Sequence, residues 1–318
     1  MSDDKIQSSD SGEHEAVNEG ILLPDGTRVG VEVETLRQEE RKSEDAEYIP
    51  VIIKRTDETR RHPDDALQHA IEEGLQQLMR PVLSLLLSAV AAGLIVGFSA
   101  MAVAVVLTAT ETLHLPETVR RIGTAFVYPL GFVVCILSGA QLFTEHTATA
   151  LYPVLDRKAR VSKLLRLWGI IVFGNLLGAV ACGALHYAAS DVVGATAGYI
   201  EIGHHLTKFS IQSLFISAVM AGWLMALGAW LVGSSPRTIA QIAVIYIVTF
   251  LIGMGGLHHS IAGSVEMFAA MFISKEFTPA MAARFISIAL IGNLVGGTCF
   301  VALLNYAHIR RTNEKQQG

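Results

Sequence analysis

The sequence predicts an all-α integral membrane protein of six transmembrane helices, two of them broken, arranged as an inverted 3+3 repeat. Three observations carry this. Hydrophobic residues make up 51% of the 318 positions and charged residues only 17%, a balance that excludes an ordinary soluble domain. Two apolar segments are interrupted at membrane depth, one by Gln141-Leu142-Phe143-Thr144-Glu145-His146-Thr147 and one by Leu257-His258-His259-Ser260-Ile261-Ala262-Gly263. Each interruption is followed by a spanning segment with the same string, Gly174-Asn175-Leu176-Leu177-Gly178 and then Gly292-Asn293-Leu294-Val295-Gly296, 118 residues apart. The breaks themselves are 115 residues apart, so two features share one period with three spans in each half. An odd number of spans per repeat sets the halves in opposite orientations, as in many transporters.

Charge divides the chain before hydropathy does. Residues 1–75 hold 20 acidic and 9 basic residues, whereas the rest holds 9 and 15. An acidic tail over 1–62, poor in aromatics and rich in Glu, Asp and Ser, reads as largely disordered and cytoplasmic. It has neither the positive start nor the apolar core of a cleavable signal. Within it Pro24-Asp25-Gly26-Thr27 is a turn signal between short apolar pieces, consistent with a small hairpin or with a segment that binds a soluble partner. Residues 63–80 open with Pro63-Asp64-Asp65 and carry Leu67, Ile71, Leu75 and Leu78 at spacings of four and three. That is an amphipathic helix along the cytoplasmic face.

The channel domain spans 81–309, and 310–318 form a basic cytoplasmic C-terminal tail. Spans are expected at Leu83–Thr108, Ile122–Leu155 (broken), Leu164–Tyr187, Lys208–Val232, Ile239–Ile273 (broken) and Arg284–Ala307. Unbroken, each is near the roughly 20 residues that cross the hydrocarbon core. Gly93 and Gly97 in the first form a small-residue pair suited to close helix packing. Lys and Arg in the short loops favour one side by 8 to 5, through Arg157, Lys158, Arg160, Lys163, Arg237, Arg310, Arg311 and Lys315. This places that side, with both termini, in the cytoplasm. Cys135, Cys182 and Cys299 have no metal or redox spacing. Absence of a phosphate-binding loop argues against ATP coupling, and nothing implies a cofactor, a nucleic-acid partner or an enzyme.

The chemistry concentrates in the breaks. A histidine pair, His258-His259, lies among Gly253, Gly255, Gly256 and Gly263 inside a spanning segment. Ionisable groups at that depth are costly and mark pathways more often than packing. Histidine titrates near neutrality, so it suits proton exchange with a weak acid. An anion that enters a dry constriction loses its hydration at a cost of several kcal/mol, whereas the neutral acid avoids most of that. Lys208, at the head of the fourth span, reads either as an anion-attracting vestibule residue or as a snorkelling interface residue.

At Leu142-Phe143-Thr144, at His259-Ser260-Ile261-Ala262 and at the two glycine-asparagine strings, the chain resembles the formate/nitrite transporter family over residues 76–310. The acidic tail and Gly263-Ser264-Val265-Glu266 resemble its divergent YfdC-type branch. The resemblance implies an aquaporin-like fold, a homopentamer in the bacterial inner membrane, and a pore in each protomer for small monovalent anions such as formate or nitrite. It places His259 as the proton-sharing histidine with Thr144 beside it, between apolar constrictions formed by Leu142, Phe143, Tyr128, Phe132 and Ile252. Two departures stand out. Relatives carry asparagines where this chain has Gly222 and Gly263, which implies a wider vestibule poorer in hydrogen-bond donors. His258 and Glu145 are additional polar candidates for the pore lining. Competing readings are an aquaglyceroporin-like channel for neutral solutes, in which His259 only lines the pore, and a membrane-anchored sensor acting through the tail.

Overall fold

The computed structural model describes residues 63–316 and, in the tail, the strand residues 21, 22, 28 and 29. Two units separate at residue 34. In the first, β1 (Ile21–Leu22) pairs antiparallel with β2 (Arg28–Val29), while the turn signal between them lies outside the described residues. The other readings of the acidic tail, a soluble partner included, fall outside the described residues.

In the second unit, α1 (Pro63–Met79) buries Leu67, Ala70, Ile71 and Leu78. Leu67, Ala70 and Ile71 pack with Ala148, Tyr152, Ala226, Val301 and Ile309, on the end of the bundle that carries the basic loops, while Leu78 joins the main core. Pro81 then starts α2 (Val82–Thr112), the first span. The second span is kinked into α3 (Glu117–Val127) and α4 (Pro129–Leu137). Pro129 brings no N–H and cannot continue the ladder. Ser99 of α2 repairs the kink, since its hydroxyl donates to Tyr128 O at 2.6 Å and accepts from Gly131 N at 3.0 Å.

After the first break come two short turns, α5 (His146–Thr149) and α6 (Tyr152–Leu155), and then the third span, α7 (Val161–Ala188). A short turn, α8 (Ser190–Val193), leads to α9 (Thr196–Thr207), a 12-residue helix that the hydropathy pattern did not separate from a loop. The second half repeats the plan with α10 (Ile211–Gly233), α11 (Thr238–Gly255), α12 (Ser260–Ile273) and α13 (Pro279–Gly297). The sixth span loosens into a π-helical stretch, Thr298–Leu303, and ends as α14 (Leu304–Gln316). Among the described residues, six helical stretches are therefore long and apolar enough to cross a membrane. The basic C-terminal segment, expected as a tail, continues this last helix as far as Gln316.

Glycines set the spacing of the two central helix pairs. A Cβ on Gly93 would lie 2.2 Å from Asn175 O, and one on Gly178 would lie 2.2 Å from Val90 O, so α2 and α7 meet backbone to backbone. The pair α10 and α13 does the same through Gly222, whose Cβ would lie 2.2 Å from Asn293 O, and Gly296, 2.1 Å from Val219 O. In lipid, where helices gain little from the hydrophobic effect, such close approach is a main source of association. Large apolar side chains such as Leu83, Phe98, Phe173, Ile239 and Ile291 point outward instead.

Candidate functional site

Each break leaves backbone N–H and C=O groups that no helix satisfies, and no water is at hand inside a membrane to do so. The repeated asparagine answers this. Asn175 is fully buried; its amide donates to Ala89 O and Gln141 O, both at 2.8 Å, and its oxygen accepts from Phe143 N at 2.9 Å. Asn293, also fully buried, donates to Ala218 O at 2.7 Å and His258 O at 3.1 Å and accepts from Ser260 N at 2.7 Å. Partner for partner the two sets correspond. The glycine-asparagine string marked the repeat in the sequence, but this clasping role needed the structure.

The two breaks meet at one hydrogen bond. Thr144 Oγ1 lies 2.8 Å from His259 Nε2, and both residues are buried. His259 is also the N-cap of α12, where its Nδ1 accepts from Ala262 N at 3.2 Å. An acceptor at Nδ1 fixes the tautomer: the ring's proton sits on Nε2, and Thr144 Oγ1 receives it. The threonine hydroxyl keeps its own hydrogen for another acceptor. A second proton on Nδ1 would point at the Ala262 N–H and cost the cap, so the geometry favours a neutral imidazole.

Apolar groups surround this pair. The Phe132 ring stands edge-on to the His259 ring with centroids 5.0 Å apart, and Tyr128 lies 5.2 Å beyond Phe132. Leu142 and Ile252 are fully buried, and Phe143 nearly so. Of the expected constriction residues, Phe132 packs on the His259 ring, and Tyr128 and Ile252 line a cavity together with that histidine.

A cavity of about 360 Å³ leads to it from the side opposite the basic loops. Tyr128, Ile252, His258 and His259 line its depth, with Glu266 from α12. Lys208, Arg120, Arg121, Glu117, Glu201 and His205 line its mouth. The mouth's cations are largely engaged: Arg120 pairs with Glu201, Arg121 Nε donates to Met254 O at 2.6 Å, and Lys208 sits 5.0 Å over the Phe209 ring. His258 hydrogen-bonds Ser217 Oγ through Nδ1 at 2.8 Å and stacks on His205 at 5.3 Å, leaving Nε2 buried without a partner. Among the groups that sequence reasoning passed over here are Glu201 and His205, because they ride on α9. Glu266 was noticed only as part of a string.

Several expectations are corrected. Lys208 caps α9 rather than opening the fourth span, which starts at Ile211. Gly222 does not border a vestibule; it is pressed against the Asn293 backbone and has no room for a side chain. A Cβ on Gly263 would lie 2.4 Å from the Phe285 ring, so that glycine is packing as well. Neither glycine widens the vestibule. Glu145 is half-buried and is not among the residues that line this cavity.

Comparison with known proteins supports the same assignment. The formate/nitrite transporter family model matches residues 64–307. The inner membrane protein YfdC of Escherichia coli (strain K12) is 32% identical over 246 residues, 76% of this chain and 77% of that protein. The formate channel FocA of the same strain is 22% identical over 77% of this chain and 93% of its own length. An FNT family ion channel superposes with a TM-score of 0.69 at 20% identity, over 77% of this chain and 99% of that one. A pentameric formate channel with formate bound gives 0.61 at 21%, over 72% and 97%. The inverted repeat, its two asparagine-clasped breaks and these matches lead to one conclusion: the chain belongs to the formate/nitrite transporter family, a family of membrane channels and transporters rather than enzymes.

Proposed function

We propose that the protein moves small monovalent weak-acid anions, formate and nitrite among them, across the inner membrane as a homopentamer with one pathway per protomer. The observation that carries this is the Thr144–His259 hydrogen bond, sealed among Phe132, Leu142, Phe143, Tyr128 and Ile252 at the floor of a cavity with cationic residues at its mouth. Mouth cations raise the local anion concentration. At the floor, the threonine hydroxyl and the imidazole Nε2–H are the polar groups that can meet an arriving carboxylate or nitrite.

With Nδ1 occupied by the Ala262 N–H, His259 shares its Nε2 proton as a hydrogen bond. Outright transfer of that proton would leave an imidazolate, so the ion crosses the apolar constriction most cheaply as the neutral acid. By the loop charges, the basic side with α1 and the C-terminus faces the cytoplasm and the cavity faces outward. A soluble partner for the acidic tail belongs to this proposal only as an addition.

The test is flux in liposomes. Formate and nitrite uptake should be saturable and accompanied by proton uptake, and His259→Phe should abolish it while the oligomer stays intact. Glycerol uptake by the native protein without formate uptake would instead establish a neutral-solute channel. Formate flux unchanged in His259→Phe would remove the histidine from the mechanism.

A further inference from the structure

We propose that Glu266 is the proton donor of this pathway, protonating the incoming anion in the cavity before it reaches the constriction. The inference rests on the weak-acid reading above and supplies what that reading lacks, the source of the proton.

Position comes first. Glu266 lies on α12 seven residues beyond the His259 cap, about two helical turns of roughly 3.6 residues each. Both line the same cavity. An anion drawn into this cavity has the Glu266 carboxyl on the same wall as His259.

Chemistry comes second. Glu266 is only 7% exposed and has no ion pair among the described residues. An isolated carboxylate in such surroundings is expensive, and a carboxyl there stays neutral unless something takes its proton. Other titratable groups of the cavity hold partners of their own, the Nε2 of His258 excepted. His259 uses Nδ1 as a cap and Nε2 on Thr144, and His258 uses Nδ1 on Ser217. Arg120 is paired with Glu201. Groups facing Glu266 from packed elements are Tyr128 at the kink of the second span and Tyr199 on α9. Behind Tyr199, His186 and Cys182 of α7 are turned to each other at 3.5 Å. None of these is a cation that would hold Glu266 ionised.

The step balances. The Glu266 carboxyl O–H bond breaks, its proton goes to an oxygen of the anion, and the electron pair stays on the carboxylate. The neutral acid then crosses the constriction, and Glu266 recovers a proton from water in the cavity. One anion and one proton move together per cycle.

The experiment uses the full-length protein in liposomes, with formate as the probe, over a range of outside pH. Glu266→Gln keeps the volume but carries no exchangeable acid. It should lose formate flux by tenfold or more at neutral pH. What remains should rise tenfold per unit of falling pH, tracking undissociated formic acid in bulk, while the native protein shows a shallower profile. Glu266→Asp should restore part of the neutral-pH rate. Native rates with a native profile in Glu266→Gln would overturn the proposal. Faster flux in that variant would also overturn it, by making Glu266 an electrostatic brake. Should Glu266→Gln not assemble, infrared difference spectra of the native protein and Glu266→Asp decide the matter. A carboxylic C=O band that bleaches on formate addition and shifts in the Asp variant supports the donor; no such band refutes it. If the native protein moves no formate, the proposed function fails first; if it does and Glu266→Gln matches it, only this inference fails.

Discussion

The first and second breaks are built on one plan and put to different uses. Both interrupt a span, both are clasped by an asparagine from the helix that follows, and both are flanked by a glycine-mediated helix crossing. In corresponding places, however, the first break carries Leu142 where the second carries His259. The first continues into two four-residue turns, whereas the second continues into a 14-residue helix capped by that histidine. Equivalence of the clasps frees the tips to differ. One tip supplies apolar closure and a threonine, and the other supplies the titratable ring.

The largest expected effects lie in what the halves share. Asn175→Ala and Asn293→Ala each strand two buried backbone groups of a break, at about 1–3 kcal/mol apiece. Both should fail to yield a folded oligomer, or should melt far below the native protein, when followed by size exclusion after heating. Loss in one variant alone would break the equivalence. Gly93→Ala and Gly222→Ala come next, since the added methyl meets backbone in each. Overpacking of this kind costs about 1–3 kcal/mol, and the two melting temperatures should fall by similar amounts.

Smaller effects sharpen the difference between the tips. Thr144→Val removes the partner of the His259 Nε2–H and should cut formate flux severalfold while leaving assembly intact, because a single net hydrogen bond is worth about 1 kcal/mol. Leu142→Ala, in the place corresponding to His259, should loosen the constriction and raise leak for larger monocarboxylates instead. Equal loss of flux in both variants would mean that the tips do not divide the work.

The smallest effect lies at the end of the bundle. Asp156, just past α6, is partly buried, which raises its carboxyl's pKa, yet Lys158, Arg310 and Tyr306 outweigh this and hold it below the ordinary value. A carboxyl lowered in this way stabilises the fold above its unfolded value, and that contribution fades as pH falls through the folded one. The native protein should therefore lose a little thermal stability on acidification, and Asp156→Asn should remove that dependence. Identical melting profiles against pH in the two proteins would show that the cluster does not tie α14 down.

Much of this was legible in the sequence, for a physical reason: lipid imposes long apolar helices, so departures from them stand out. The spans, both breaks and the meeting of Thr144 with His259 followed from that contrast and from the resemblance of the strings. The helix α9 did not, because a mixed segment between spans has no strong period. Gly222 was misplaced because an absent side chain looks the same whether it leaves space or admits a neighbouring backbone. Glu266 was passed over because the facing of a residue on a half-helix depends on where that helix starts, and only the His259 cap fixes this.

That cap has one further consequence. A helix of 14 residues starting at His259 directs its aligned peptide dipoles so that the partial positive end, about half an elementary charge, lies at the floor of the cavity. Peptide dipoles do not titrate. The attraction they exert on an anion is therefore constant across physiological pH, and it reaches any anion small enough to approach, whatever its basicity. On the proposed mechanism, selection among anions then comes from the step that dipoles cannot perform, which is acceptance of a proton. A strong-acid anion such as chloride or nitrate would be drawn to the same floor and held there without passage, making it a competitive blocker rather than a substrate.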